Sequence, residues 1–508
     1  MASVTLSSSA GKWLMASAIL ASSMAFIDGT ALNVVLPALQ KSLHATGEDL
    51  FWILNAYLLI LAALILVGGS LGDRLGRKKI FMIGIFVFIL GSAACGFSPN
   101  VFYLIAFRSI QGLGGALMIP GSLSLISASI DDREKGRAIG TWSAITTVVT
   151  MGGPILGGAL ADAGFWRGIF FINVPIGIAA LIVLWFKVAE SKEEHPDPRL
   201  DYFGALSIAV GLALVTFGFL RAPSKGFGDI PVIAALGGGV LLLGLFLAIE
   251  RRTAYPMMPL RLFSNATFSG ANLLTFFLYA GLGAAMLFIS LNLVQAQGYS
   301  QLESGLTFLP FTILMIFIAR FAGALADRKG PRLLLIIGPF IAGAGMLGLS
   351  MVGITKGPGE YWTTFFPGFL LLGLGMAITV APLTTAVMSA VSDDFSGTAS
   401  GVNNAVSRVS NVFANAIFGA MAVWLFSGAL NDLLSGMDPS VRTAALGQAV
   451  DLGNAHVPAG VPSVDAPAIA HAYRLGFVQT YQIILRIAAG LAWLGALMGA
   501  LFIRNKKH

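Results

Sequence analysis

Cysteine and histidine are nearly absent: one cysteine and five histidines in 508 residues. Cys95 stands inside an apolar run, so neither an intrachain disulfide nor a thiolate metal site can form. His44, His195, His456, His471 and His508 fall in loops or at the end of the chain, which leaves haem, zinc and other intramembrane metal chemistry without ligands; no cofactor and no metal are expected. Charge is scarce as well. Asp, Glu, Lys and Arg make up 11% of the residues, against about 25% in an ordinary soluble chain.

What the chain has is apolar length. It is 56% hydrophobic with a mean hydropathy of +0.83. Where water is absent a helix satisfies its own backbone polar groups, so apolar runs of about 20 residues read as membrane spans. Breaks at charged or Gly/Pro-rich stretches give spans near 13–38, 50–71, 80–97, 101–127, 138–160 and 169–187, then 202–220 and 231–249, then 266–296, 304–326, 333–354, 362–390, 399–427 and 478–503. The predicted fold class is all-α, a polytopic membrane protein of about fourteen transmembrane helices. The first 30 residues have a signal-peptide flavour, with Lys12 and a run of small residues, but the apolar stretch continues to Leu39 and is long enough to span uncleaved.

The formal charge of +7 invites a nucleic-acid reading, which the distribution removes. Arg74, Arg77, Lys78 and Lys79, Arg133, Lys135 and Arg137, Arg328, Lys329 and Arg332, and Arg504, Lys506 and Lys507 all fall on one side of the predicted layer. By the positive-inside rule that side is cytoplasmic. Both termini and the loop Lys187 to Asp201 are then expected inside a cell membrane, with the long segment 428–477 outside; the partners are the bilayer, protons and a small molecule, with no nucleic acid. A periplasmic adaptor protein is left open.

The layout repeats. GGSLGDRLGRKK (Gly68 to Lys79) returns as GALADRKGPR (Gly323 to Arg332), GLGGALMIP (Gly112 to Pro120) as GLGMAITVAP (Gly373 to Pro382), and DDREKGRAIG (Asp131 to Gly140) as DDFSGTASG (Asp393 to Gly401). Three echoes in one order argue for duplicated six-helix bundles, 1–187 and 266–508, with a linker at 188–265 carrying spans seven and eight.

Asp28, in DGTALNVVLP, lies about 15 Å from the outer end of its span and is the deep carboxylate of the spans. An intramembrane carboxylate costs about 2.5–3.5 kcal/mol on insertion scales, so it faces the bundle interior and has a task; the bland alternative is a packing Asp held by hydroxyls or amides. Arg108, in RSIQGLGGA, sits about 10 Å deep, near enough in level to pair with Asp28, although a snorkelling Arg would read the same. In GGPILGG (Gly152 to Gly158), Pro154 removes a helix hydrogen bond and Gly153, Gly157 and Gly158 allow close helix contact. In the Gly68 to Lys79 loop, Gly69 and Gly72 are expected to let helix ends approach, Gly76 to permit a tight turn, and Asp73 to face a helix N-terminus or a basic group.

Together with WRGIFFINVP (Trp166 to Pro175), these motifs resemble the major facilitator superfamily over essentially the whole length, and within it the fourteen-span drug:proton antiporter family (EmrB/QacA-like). The resemblance implies an antiporter that exports amphipathic compounds by alternating access, not an enzyme. It assigns proton coupling to Asp28 and Arg108, and a conformational latch to Gly69, Gly72, Asp73, Arg74, Gly76 and Arg77 with Asp327 and Arg328 in the echo. The antiporter motif is Gly153, Pro154, Gly157 and Gly158, and Asn33, Gln111, Asn403, Asn404 and Arg408 are candidates for the substrate cavity. The chain departs from family members that carry extra carboxylates in spans ten and thirteen, where it has Arg320 and Arg408; with Arg486 in the last span, the interior is expected to hold more Arg than carboxylate. Two alternatives stand beside this reading: a dedicated exporter of one metabolite, siderophore, antibiotic or lipid, and, more remotely, a membrane enzyme or sensor.

Overall fold

The computed structural model of the protein describes residues 4–190, 201–253, 256, 258–391 and 396–504. Within these, the chain is helical, apart from one isolated bridge between Val4 and Ile130. The helices of the first part are α1 (Ser9–Leu43), α2 (Gly47–Leu75), α3 (Arg77–Gly96), α4 (Val101–Ser129), α5 (Asp132–Asp162), α6 (Gly168–Phe171) and α7 (Asn173–Lys187). Next come α8 (Tyr202–Lys225) and α9 (Ile230–Arg252). The last part holds α10 (Ala266–Leu291), α11 (Gln301–Leu306), α12 (Leu309–Lys329), α13 (Arg332–Leu349), α14 (Phe366–Ser389), α15 (Ser396–Leu433), α16 (Pro439–Leu446) and α17 (Ala466–Phe502). Thirteen helical stretches among the described residues are long and apolar enough to cross a membrane, and a shorter apolar stretch, Val148–Asp162, lies in α5.

Local sequence sets where these helices begin. Thr46 and Asp49 form a capping box at the start of α2, as Ser300 and Glu303 do for α11, and Asn100 caps α4 through the Tyr103 N–H. Each satisfies backbone donors that the first turn leaves open. Gly76 joins α2 to α3 in one residue at φ 113°, a conformation that L side chains rarely adopt. Pro37, Pro120, Pro154, Pro339 and Pro382 sit inside helices, which membrane helices tolerate because neighbouring groups re-satisfy the freed carbonyls.

The helices pack in two groups. α1 lies against α4, α5 and α7, and α4 against α2 and α3; in the later part α10 and α13 pack on α17, and α14 on α12 and α13. The two groups meet along α2 with α15 and along α5 with α11, and α8 lies beside the α2–α15 seam with α9 behind it. The segment 428–477, expected as a loop, is largely helical: α15 runs on to Leu433, α16 and a 3-10 segment, Gly447–Asn454, follow, and α17 begins at Ala466 rather than near 478. The helical ends project beyond the apolar window by which the spans were drawn. Residues 191–200 of the expected inner loop lie outside the described residues, as do the side chains of Asp73, Arg74 and Asp327.

Candidate functional site

Asp28 on α1 and Arg108 on α4 meet in the centre of the first group. The guanidinium donates through Nη1 to Asp28 Oδ2 at 2.5 Å and to Gln111 Oε1 at 2.7 Å. Gln111, three residues along and so on the same helix face, donates through Nε2 to the other oxygen of Asp28 at 2.9 Å and to Ser92 Oγ at 3.3 Å. The network continues into α3, α6 and α7: Asn173 Nδ2 donates to Ser92 Oγ at 3.0 Å, and Ser92 Oγ donates to the Phe170 carbonyl at 2.8 Å. Arg108 Nε reaches the Ile53 carbonyl on α2 at 3.3 Å, and its guanidinium carbon stands 4.5 Å from the centre of the Tyr57 ring. Asp28, Gln111, Ser92 and Asn173 are fully buried and Arg108 is 1% exposed.

Such an arrangement answers the energetic objection to a charge in hydrocarbon. The carboxylate uses both oxygens on charge-assisted or amide donors, and the guanidinium has a carboxylate, an amide, a carbonyl and an aromatic face. Gln111 does not line a cavity as expected: its spacing from Arg108 turns it into this sealed network.

The other cavity candidates separate. Asn33 is half-buried, with Nδ2 3.4 Å from its own helix's Gly29 carbonyl. Asn403 is tied to α10, donating to Asn272 Oδ1 at 3.1 Å and Thr275 Oγ1 at 2.8 Å. A cavity of about 130 Å³ opens beside it, lined by Thr275, Tyr279, Thr384, Asn403, Asn404 and Ser407 among others. Arg408 is one turn beyond Asn404 on α15 and half-buried. Arg486, expected in the interior, is exposed on the side of α17 that carries Ile483, Ile487 and Leu494, the outward apolar stripe; Arg320 is exposed on α12.

The proline–glycine motif of α5 lies where the two groups touch. Gly153 and Gly157 face Thr30 and Ala31 of α1, and Thr30 Oγ1 donates to the Thr150 carbonyl at 2.9 Å. Gly158 faces the Gln301–Leu302 backbone of α11, while Gly305 of α11 faces the Pro154 carbonyl; a Cβ at either would meet backbone that cannot yield. One turn on, Asp162 accepts the backbone N–H groups of Gln301 and Leu302 at 2.8 and 2.9 Å, holding the N-terminus of α11. At the same end Gln295 donates to Gln40 Oε1 at 2.8 Å, and Gln40 donates to the Asp451 carbonyl at 3.1 Å. Burial, reinforced by Asp49 and opposed by His456, raises the Asp451 carboxyl above its ordinary range.

At the opposite end the Gly68 to Lys79 loop differs in detail from expectation. A Cβ at Gly69 or Gly72 would find ordinary contacts at 3.6 and 3.9 Å, so neither enforces close approach; Gly68 does, against the Ala116 carbonyl of α4. The start of α3 is held by Glu190, whose two carboxylate oxygens accept the Lys78 and Lys79 backbone N–H groups at 2.9 and 3.1 Å. Arg328 is exposed. Ser92, Asn173, Glu190, Asp162 and Tyr57 were missed from sequence. Asn173, inside the quoted WRGIFFINVP stretch, is the one whose signal was in hand.

Comparison with known proteins gives a match to the family model described as Major Facilitator Superfamily over residues 18–415. The tetracenomycin C resistance and export protein of Streptomyces glaucescens is 31% identical over 95% of this chain and 89% of its own length. The multidrug resistance protein Stp of Mycobacterium tuberculosis is 34% identical over 79% of this chain and 74% of its own. Among solved structures, a bacterial homolog of the human lysosomal transporter Spinster aligns with a TM-score of 0.66 at 19% identity, covering 99% of this chain and all of that one; that likeness concerns the fold.

Proposed function

We propose, since this chain belongs to the Major Facilitator Superfamily, that it is a proton-coupled antiporter of the fourteen-span drug exporter branch (EmrB/QacA-like). It is a transporter rather than an enzyme. Its cargo is an amphipathic small molecule, in keeping with the resistance and export proteins it resembles. The observation that carries the proton-coupling reading is the sealed contact of Asp28 with Arg108 and Gln111. In this reading that contact is remade as one half rocks against the other, the motion that alternating access requires, and proton entry and release at the carboxylate are tied to it.

In this reading residues 1–187 and 266–508 are the two moving halves, 188–265 is the linker, and both termini face the cytoplasm. The α5 motif at Gly153, Pro154, Gly157 and Gly158 is the pivot surface, the Gly68 to Lys79 turn is the inner latch, and Asn33, Asn403, Asn404 and Arg408 border the substrate path. A dedicated exporter of one compound fits the same scaffold, and the single-compound name of the Streptomyces relative favours keeping it as the second reading. The test is efflux from proteoliposomes driven by an imposed pH gradient. Asp28→Asn is expected to remove uphill transport while the protein stays inserted and monodisperse; full gradient-driven transport by that variant would sink the assignment. Efflux of many unrelated dyes, against efflux of one compound, decides between the two cargo readings.

A further inference from the structure

The half that carries Asp28 balances its buried charges; the half that carries Arg408 does not. Arg408 stands about 18 Å along α15 from the Ser396 end, well inside the apolar layer, where a guanidinium is retained only with a partner or a task. Five asparagines lie on α15, and for the four nearest to it, Asn403, Asn404, Asn411 and Asn415, sequence alone suggests that they satisfy it. The structure disposes of two of them directly: Asn403 turns to Asn272 and Thr275, and Asn411 donates to the Ser407 carbonyl on its own helix. Among the described residues no hydrogen bond and no ion pair engages Arg408. The deep carboxylate, Asp28, has both oxygens committed to Arg108 and Gln111.

Position adds a second argument. Arg408 lies four residues beyond Asn404, on the same face of α15, the helix that packs against both α2 and α10. Tyr57 packs beneath Arg108 in the first half, and Tyr279 lines the cavity between α10, α14 and α15. Asn404 and Ser407, the cavity's polar wall on α15, lie one turn before Arg408 and next to it. Arg408 is not itself a lining residue; its place on the face of α15 that carries Asn404 sets it one turn from the cavity, on the helix that forms the seam with α2. At about 130 Å³ the cavity is smaller than the 300–1,000 Å³ of pockets that enclose a whole drug-sized ligand. Its volume suits a polar head group rather than a whole drug-sized molecule.

We propose that Arg408 is the anion-binding residue of the substrate site, receiving an aromatic carboxylate whose acidic head docks on the guanidinium beside Asn404 and Ser407, with Tyr279 against its ring. The proposal rests on the export reading above and names the class of cargo for the same path. A guanidinium without a partner among the described residues, one turn from a polar cavity, offers a carboxylate paired, charge-assisted hydrogen bonds.

The test is binding, measured without any gradient, so that it stands apart from proton coupling. The full chain in phosphatidylcholine nanodiscs is titrated with 2-naphthoate and with its neutral isostere 2-naphthamide. Wild type is expected to prefer the acid by about tenfold or more, Arg408→Gln to reduce that ratio to about one, and Arg408→Lys, which keeps the charge but loses the planar fork, to keep an intermediate ratio. Size-exclusion profiles establish that each variant is folded; if the Gln variant is not, the fall in ratio in the Lys variant decides. No preference for the acid in wild type, or a ratio unmoved by both substitutions, overturns the proposal. A lipid phosphate would suit the same guanidinium: an acid affinity that falls as phosphatidylglycerol is added, in wild type but not in Arg408→Gln, assigns the residue to the headgroup and overturns it too. Loss of gradient-driven efflux with the acid preference intact would instead sink the proton-coupled reading and leave the anion site standing.

Discussion

Two arginines at comparable depth have opposite surroundings. Arg108 is 1% exposed and meets a carboxylate, an amide, a backbone carbonyl and an aromatic ring. Arg408 is half-buried beside a cavity, with neither hydrogen bond nor ion pair among the described residues. The first is a closed circuit in which each group fixes its neighbours, suited to a small, repeatable displacement. The second is an open valence, suited to something that comes and goes. The contrast lies in the partner: α1 brings a carboxylate to Arg108, and no described residue brings one to Arg408.

The largest expected effect separates the two arginines by stability. Arg108→Gln leaves the Asp28 carboxylate buried without its counter-charge, and breaking such a pair costs about 3–5 kcal/mol, which thermal unfolding in detergent reads as a midpoint several degrees lower. Arg408→Gln removes no partner and is expected to leave the midpoint close to wild type. Equal losses would break the comparison, since they would mean that Arg408 is also a structural cation.

Much of this contrast was legible in the sequence, and the reason is chemical. A carboxylate and a guanidinium are so costly in hydrocarbon that Asp28, Arg108 and Arg408 declare themselves against an apolar background, and the helix count follows from run length alone. Groups that are cheap in a membrane helix gave no such signal. Ser92 and Asn173 became part of the circuit only because α3 brings Ser92 to Gln111 and α7 brings Asn173 to Ser92. Glu190 lies among other charged residues and Asp162 at the end of an apolar helix, both near helix ends where a carboxylate is cheap, and what distinguishes them is the helix N-terminus each one holds. Gly68 rather than Gly69 proved to be the tight glycine because only the register of α2 on α4 decides which glycine meets a carbonyl. Gln111 was misplaced for a similar reason: depth can be counted along a helix, but the face needs a neighbour.

A smaller effect concerns the seam across which the two halves must part. On α2, Phe51 packs against Gly419 and Phe288, while Leu59 and Ala62 cluster with Val412. Asn55 lies between them, fully buried, and neither atom of its amide has a hydrogen-bond partner among the described residues. An orphaned buried amide costs about 1–3 kcal/mol, and that penalty weakens the closed seam. Asn55→Leu, similar in volume, is expected to raise thermal stability and to slow turnover with little change in the substrate concentration for half-maximal efflux. An unchanged turnover would mean that a water already satisfies the amide and that the seam carries no such bias.

The smallest effect is expected at Asp162, and it sharpens the comparison most directly because it joins the two halves without touching either arginine. Its carboxylate is exposed, so solvent screening limits what each hydrogen bond contributes. Yet both oxygens accept from the first turn of α11, where the helix dipole also favours negative charge, and the glycine contacts of α5 with α11 lie one turn away. Removing the carboxylate therefore loosens one clamp of several at this end, with Gln40, Gln295 and the Asp451 carbonyl still in place. Asp162→Ala is expected to raise the population opened at this end by a few-fold, read as a longer distance between spin labels placed at Ala163 and Gly298, and to leave the acid-over-amide binding ratio at Arg408 as in wild type. High salt should mimic part of the change in wild type and add little in the variant. If the label distances stay put, the α5–α11 contact is held by glycine packing alone; if the binding ratio falls with them, the closed end and the Arg408 cavity are one coupled unit, and the two halves do not act as separately as their charges suggest.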